Sequence, residues 1–190
     1  MEKSIKDLVV EDVIVRITLD GSFQRANIYR KSTVINDSVK TGFRNYLAQH
    51  LKQTLTEISA RDAYTDEDHY NILQIFSENV GKEYQEILSE GKLRIGTAQK
   101  LLNLYWKFSW LLKPDIPKPI HCPFDSIVIA ALNIPGNHIL WTKMDSIQEY
   151  EALVTACKLQ IGNLNVENCI ADWELKLYSS KNNYNPIKAT

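Results

Sequence analysis

Apolar side chains recur at Ile5, Leu8, Val9, Val13, Ile14 and Ile17 behind Ser4, a spacing that predicts a capped helix. The β-branched run Val13-Ile14-Val15 ahead of Asp20-Gly21 also reads as a hairpin arm. Phe43, Leu47, Leu51, Leu55 and Ile58 mark one face of a second helix over residues 38–60. Thr65 and Asp68 form a capping box with Asp in place of Glu or Gln, and it opens a periodic stretch through Ile72, Ile75, Phe76, Val80, Tyr84, Ile87 and Leu88 that Gly91 ends. Behind a cap at Thr97, the residues Leu101, Leu104, Tyr105, Phe108, Leu111 and Leu112 predict a strongly apolar helix that stops before Pro114.

The segment PDIPKPIHCP then holds four prolines, which fix several φ angles and make a stiff crossing that positions whatever follows. Residues 124–132 are short and apolar. Pro123 favours a helix start there, with Asp125 near the positive end of the helix dipole, while a buried strand is the alternative. Two more helices are expected, over 146–160 and 166–178, and the Asn- and Lys-rich tail from Ser179 is expected to fray. With seven glycines, mostly at helix ends, and no fixed-period repeat, the pattern predicts an all-α, multi-helix fold. Residues 1–90 and 91–180 form its two parts within one compact domain, and 181–190 form a flexible tail.

Composition changes this picture little. A chain of 190 residues, 44% hydrophobic and 24% charged, is an ordinary globular protein and not a disordered or fibrous one. With 22 basic and 23 acidic side chains the formal net charge is −1, so binding to nucleic acid requires a local patch. Cys122, Cys157 and Cys169 are odd in number and widely spaced, without zinc-site spacing, so neither a disulfide scaffold nor a metal is expected. No signal peptide and no membrane-spanning window is visible, so the expectation is a soluble, cytoplasmic chain without a membrane partner.

Residues 92–113 carry Lys92, Arg94, Lys100, Lys107 and Lys113 and no acidic residue. Lys100, Asn103 and Lys107 can share one helix face, which reads either as a solvated outer surface or as a set of phosphate contacts. Downstream, His121-Cys122-Pro123-Phe124-Asp125 brings an imidazole, a thiol and a carboxylate close in sequence. Adjacent side chains diverge, so Cys122 and His121 read as a buried thiol and a structural histidine, with a cysteine hydrolase as a minor alternative. Asp125 reads as a helix-dipole partner on spacing alone.

The stretches GTAQKLLNLYWKF, IPKPIHCPFD and NCIADWELKLY together resemble the core of helix-hairpin-helix DNA glycosylases, nearest the archaeal 8-oxoguanine glycosylase branch, over about residues 90–178. The hairpin stretch Leu93-Arg94-Ile95-Gly96 departs from that family by lacking its pair of glycines, and Phe124 stands where the family has Val. The resemblance implies a helix-hairpin-helix glycosylase-like C-terminal half that flips a damaged or modified base out of DNA and hydrolyses its N-glycosidic bond, leaving an abasic site. It makes Asp125 the catalytic carboxylate and either Lys100 or Lys92 the family lysine. Trp173 becomes the pocket aromatic, with His121, Asn103, His138 and Trp141 as candidate lining for the base. Arg94, Lys107 and Lys113 become the DNA-backbone contacts. The expectation is hydrolysis without strand cleavage, by a monomer acting on DNA with no cofactor. An oxidised purine and a hypermodified phage pyrimidine, the latter removed as a defence activity, stand as alternative substrates. The rival class is a non-enzymatic helical module that binds nucleic acid or protein.

Overall fold

The computed structural model describes residues 4–31, 34–132, 134, 139–163 and 169–181. Among them run seven α-helices: α1 (Ile5–Phe23), α2 (Asp37–Ser59), α3 (Asp66–Glu83), α4 (Ile95–Leu112), α5 (Ser126–Ala131), α6 (Ile147–Asn163) and α7 (Ile170–Lys181). Short 3₁₀ turns lie at Ser89–Gly91 and Trp141–Lys143. No strand forms among the described residues, and the one pairing of that kind is an isolated bridge between Tyr29 and Leu88. Among them, too, no helix is long and apolar enough to cross a membrane.

The caps explain where several helices begin. Ser4 accepts from the Asp7 amide while the Asp7 carboxylate accepts from the Ser4 amide, a reciprocal box that makes the ambiguous Val13-Ile14-Val15 run helical. Thr65 and Asp68 close the same box at α3, and Ser146 and Glu149 do so ahead of α6. The α3 helix is shorter than its periodicity predicts: it stops at Glu83, and the 3₁₀ turn that follows holds Gly91 at φ 67°. Leu88 is fully buried on this connection, so an apolar position that looks helical belongs to a loop pressed into the core. The α4 helix starts at Ile95, two residues before the predicted Thr97 cap, with Arg94 at the N-cap and no side-chain bond there. Helix α7 starts at Ile170 and runs on to Lys181, past the point where fraying is expected; residues 182–190 of the predicted tail lie outside the described residues.

Helix α4 is the axis of the fold. It packs against α1, α2, α3, α6 and the 141–143 turn, and every residue from Ile95 to Asn103 is buried, followed by Tyr105, Trp106 and Ser109. The predicted basic face therefore does not exist as a solvated surface over these turns, because the helix is enclosed on all sides. The polar side chains inside it must find partners, since an unpaired buried polar group costs about 1–3 kcal/mol.

Three of them, Gln99, Asn103 and Trp106, find partners on the proline-rich crossing, which runs back along α4. Trp106 donates its indole N–H to the Pro117 carbonyl at 2.8 Å, and Asn103 donates to the Cys122 carbonyl at 3.0 Å. The Gln99 amide pairs with both backbone groups of Phe124, donating to its carbonyl at 2.9 Å and accepting from its N–H at 3.0 Å. Residues at successive turns of one helix thus hold a segment that forms no strand or helix of its own, and they fix the point at which α5 starts. Replacing Gln99 by Met keeps the volume but orphans both Phe124 groups, and is expected to lower the unfolding free energy by about 2–4 kcal/mol in urea titrations. A variant as stable as the wild type would contradict the role given to this amide.

Candidate functional site

Asp125 is the N-cap of α5, one residue outside the helix. Its Oδ1 accepts from the amides of Ile127 at 2.9 Å and Val128 at 3.1 Å, and its Oδ2 accepts from the Tyr178 hydroxyl on α7. A carboxylate offers about four lone-pair sites, so three structural bonds leave capacity for one more donor. Phe124, clamped by Gln99, and Tyr178 together hold this carboxylate from two sides.

Lys100, one turn beyond Gly96 on α4, is 8% exposed, and its Nζ lies 4.3 Å from the centre of the Trp141 ring. Among the described residues it has no carboxylate and no hydrogen-bond acceptor in bonding range. Burial pushes its amine below the ordinary lysine range; the charge of Asp125 pulls it part of the way back, and that of Arg25 pushes it further down. Lys100, Asp125 and Trp141 therefore share one electrostatic neighbourhood.

Gly96 makes this possible. A Cβ at that position would fall 1.7 Å from the Trp141 carbonyl oxygen, and the Gly96 amide donates to the Met144 carbonyl at 3.0 Å. Only a residue without a side chain lets the 141–143 turn lie against the first turn of α4, and this brings the indole to Lys100. Arg25 enters from the connection after α1, where it adopts φ 68°, a left-handed conformation uncommon outside glycine. It is exposed and, among the described residues, has no carboxylate partner. Neither Arg25 nor Tyr178 is marked in the sequence; the only trace of Tyr178 is its i, i+4 spacing from Glu174 on α7.

The remaining cations of the 92–113 segment are engaged elsewhere. Lys92 lies 3.0 Å from Asp145 and 3.6 Å from Glu90, and Arg94 pairs with the same two carboxylates. Lys107 meets Glu174 at 2.7 Å, with the Tyr178 ring 5.0 Å away, and Lys113 pairs with Glu11, which also accepts from Tyr105. Lys92 thus belongs to a surface cluster and, unlike Lys100, shows no link to Asp125. Arg94, Lys107 and Lys113 meet protein carboxylates where phosphate contacts are predicted.

The other predicted lining residues are mostly internal. His121 is buried between Tyr150, at 2.9 Å from its Nδ1, and Asp66, at 3.2 Å from its Nε2. Burial pushes its pKa down to about 4, with Asp66 opposing the shift. Asn103 donates to Gln99, Cys122 and Tyr150, and its Oδ1 has no partner in hydrogen-bonding geometry. Trp173 packs in the core at 9% exposure. Cys122 is buried and its thiol is pushed well up by burial, which keeps it protonated and unlike a nucleophile. His138 lies outside the described residues. No group of three or more His, Cys, Asp or Glu among the described residues is placed to hold a metal ion.

Hollows of about 530 Å³, lined by Glu67, Tyr70, Asp145 and Glu151 among others, and of about 430 Å³, between Glu11, Lys52, Tyr105 and Lys113, do not have Asp125 or Lys100 in their walls. No family model, no curated protein and no solved structure matches the chain.

Two buried imidazoles give a pH prediction. His69, fully buried and pushed well below 6.5 by burial, and His121 both stay neutral in the folded chain, whereas in the unfolded chain they take up protons near 6.5. Below that pH the unfolded state binds more protons, so stability is complete above it and falls as the pH drops toward 4. The expected loss is up to about 1.4 kcal/mol per pH unit for each histidine. Urea unfolding at a series of pH values measures it, and constant stability down to about pH 5 would show that these rings are not held neutral.

Proposed function

We propose that the chain is a DNA glycosylase in which Asp125 and Lys100 act together on C1′ of an extruded nucleotide. The observation that carries this reading is the state of Lys100: a nearly buried amine, depressed in basicity, without a carboxylate partner among the described residues, over an aromatic ring and in the field of one carboxylate. A lysine used only for packing or solubility gains nothing from such surroundings, whereas an amine that must lose its proton near neutral pH needs them. The likeness of residues 90–178 to helix-hairpin-helix glycosylases gives the same two residue types the same tasks.

In the reaction, the glycosidic C1′–N bond breaks and the base leaves with the bonding electrons, while Asp125 stabilises the positive charge that develops on the sugar. Either water, oriented by the remaining lone pair of Asp125, or the Lys100 amine, once it has given up its proton, then forms the new bond to C1′. Water gives an abasic site. The amine gives a Schiff base after ring opening, a branch that stands beside the hydrolysis expected from sequence. Arg25, exposed and without a carboxylate partner among the described residues, suits a phosphate flanking the extruded nucleotide. The substrate class is a damaged or modified base, with oxidised purines and bulky modified pyrimidines as alternatives.

A second reading, a non-enzymatic helical module binding nucleic acid or protein, is favoured by the three structural bonds of Asp125 and by the internal pairing of Lys92, Arg94, Lys107 and Lys113.

The two readings separate in one experiment. DNAs carrying oxidised, alkylated, deaminated or glucosylated bases are incubated with the protein, then treated with alkali to reveal abasic sites, or with borohydride to trap an imine. The expected outcome is base release that Asp125→Asn lowers by about a hundredfold or more with DNA binding retained, together with a trapped adduct that Lys100→Ala abolishes. Folded wild-type protein that releases no base and forms no adduct on any of these DNAs overturns the glycosylase in favour of the binding module.

A further inference from the structure

We propose that the connection between α1 and α2 is the surface with which the chain grips the phosphate backbone of duplex DNA, through Arg25, Arg30 and Lys31. The inference rests on the DNA partner of the reading above and not on its chemistry. Residues 21–36 carry these three cations and no acid. Of the chain's six arginines, Arg16, Arg44, Arg61 and Arg94 each meet a carboxylate. Arg25 and Arg30 are the other two, and among the described residues neither they nor Lys31 has a carboxylate in ion-pairing range. Arg30 donates to the Gln85 carbonyl at 3.2 Å, a bond that aims its guanidinium without neutralising it. Charge open to a polyanion lies here, whereas on residues 92–113 Lys92, Arg94, Lys107 and Lys113 are answered by protein carboxylates.

The connection is anchored to the fold. Ala26 and Ile28 are buried, while Arg25 and Lys31 on either side of them are exposed. The Ser89 amide donates to the Ile28 carbonyl at 2.9 Å and the Arg30 amide to the Ile87 carbonyl at 2.8 Å, flanking the Tyr29–Leu88 bridge. A backbone fixed in this way presents its cations without the ordering cost of a loose loop. Arg25 stands just past the C-cap of α1 at φ 68°, a position and a conformation that favour glycine. Arginine there costs backbone energy and shows no ion pair among the described residues in return, whereas a guanidinium fork matched to two phosphate oxygens supplies the reason for it. The connection also borders the candidate site. The end of α1 lies against α4, where a Cβ on Gly21 would come 3.3 Å from Leu104, one turn beyond Lys100, and the charge of Arg25 reaches Lys100. From Arg25 to Lys31 the chain spans at most roughly 20 Å, enough to follow several successive phosphates at a rise of about 3.4 Å per strand.

Fluorescence anisotropy of the full chain on a short unmodified DNA duplex, across about 50 to 200 mM salt, tests the proposal. The logarithm of the affinity should fall linearly with the logarithm of salt concentration. Arg25→Gln, Arg30→Gln and Lys31→Gln should each flatten that slope by about 0.9, and the triple variant should bind about tenfold or more weakly at the lowest salt. Arg61→Gln and Lys118→Gln remove cations that are already paired and should leave the slope unchanged. Arg25→Gly should weaken DNA binding as Arg25→Gln does, yet melt at or above the wild-type temperature, because glycine relieves the left-handed backbone; a merely structural arginine would lose stability instead. Wild-type protein that does not bind the duplex overturns the proposal, as does a triple variant with the wild-type slope. Poly-glutamate that displaces the duplex at equal charge concentration overturns it too, and would assign the surface to an acidic protein. Base release plays no part in these measurements. A triple variant that loses DNA, in a chain that releases no base, leaves this surface standing without the glycosylase; a base-releasing chain whose triple variant holds DNA unchanged does the reverse.

Discussion

The contacts between the buried amides of α4 and the proline-rich crossing are the constraint on which the rest of the molecule depends. Prolines at 114, 117, 119 and 123 remove four N–H donors from the crossing but leave its carbonyls, so it cannot pair with itself and must be satisfied from outside. Helix α4 supplies the donors. Gln99, Asn103 and Trp106 reach Phe124, Cys122 and Pro117 in order along the helix, and the geometry is specific because each bond needs its donor aimed at one carbonyl. A purely apolar α4 would bury as much surface but would not determine where Phe124 stops. Since Asp125 is the next residue, the cap of α5 and the position of the candidate carboxylate both follow from Gln99.

Charge in the core is met largely by opposite charge, and Lys100 departs from that. Lys107 and Glu174 are buried together, at 12% and 2% side-chain exposure, and an ion pair in such surroundings is tolerable only when each partner answers the other. Burial raises the pKa of Glu174, Lys107 opposes the shift, and Asp125 adds to it. Lys113 and Glu11 repeat the arrangement at the far end of α4. Lys100 departs from it. Among the described residues, the desolvation that elsewhere is offset by a contacting carboxylate is offset here by the face of Trp141 and by Asp125 acting through space. A buried amine so placed is costly, and the fold keeps it there through Gly96.

How much of this could be read from the sequence depended on how local its cause was. Caps at Ser4 and Thr65, the period of α2, the stop before Pro114 and the helix after Pro123 are all set by residues within a few positions of one another, and the all-helical fold follows from them. The length of α3 was not legible, because Ile87 and Leu88 keep the apolar period while the chain has already left the helix to meet Tyr29. The pairing of the basic strip was not legible for the opposite reason. Apart from Glu90, its carboxylate partners, Glu11, Asp145 and Glu174, lie about 50 to 100 positions away, and nothing in a window of sequence says that they return to it. Asp125 was visible as a helix-start residue, but Tyr178 and Arg25 were not, since one arrives from the last helix and the other from a left-handed turn near the first.

Gly96 links these levels. In sequence it looks like punctuation ahead of a helix, yet it lies inside the first turn of α4, where glycine costs about 1 kcal/mol relative to alanine. That cost is tolerated because the Trp141 backbone occupies the space in which any Cβ would sit. The contact does little that a larger residue and a more distant turn could not do for stability. What it does uniquely is bring an indole to the amine one turn along the same helix, so that the depressed basicity of Lys100, the position of Trp141 and the choice of glycine have one cause. A substitution at position 96 would therefore act on the electrostatics of Lys100 before it reached any group that touches a ligand.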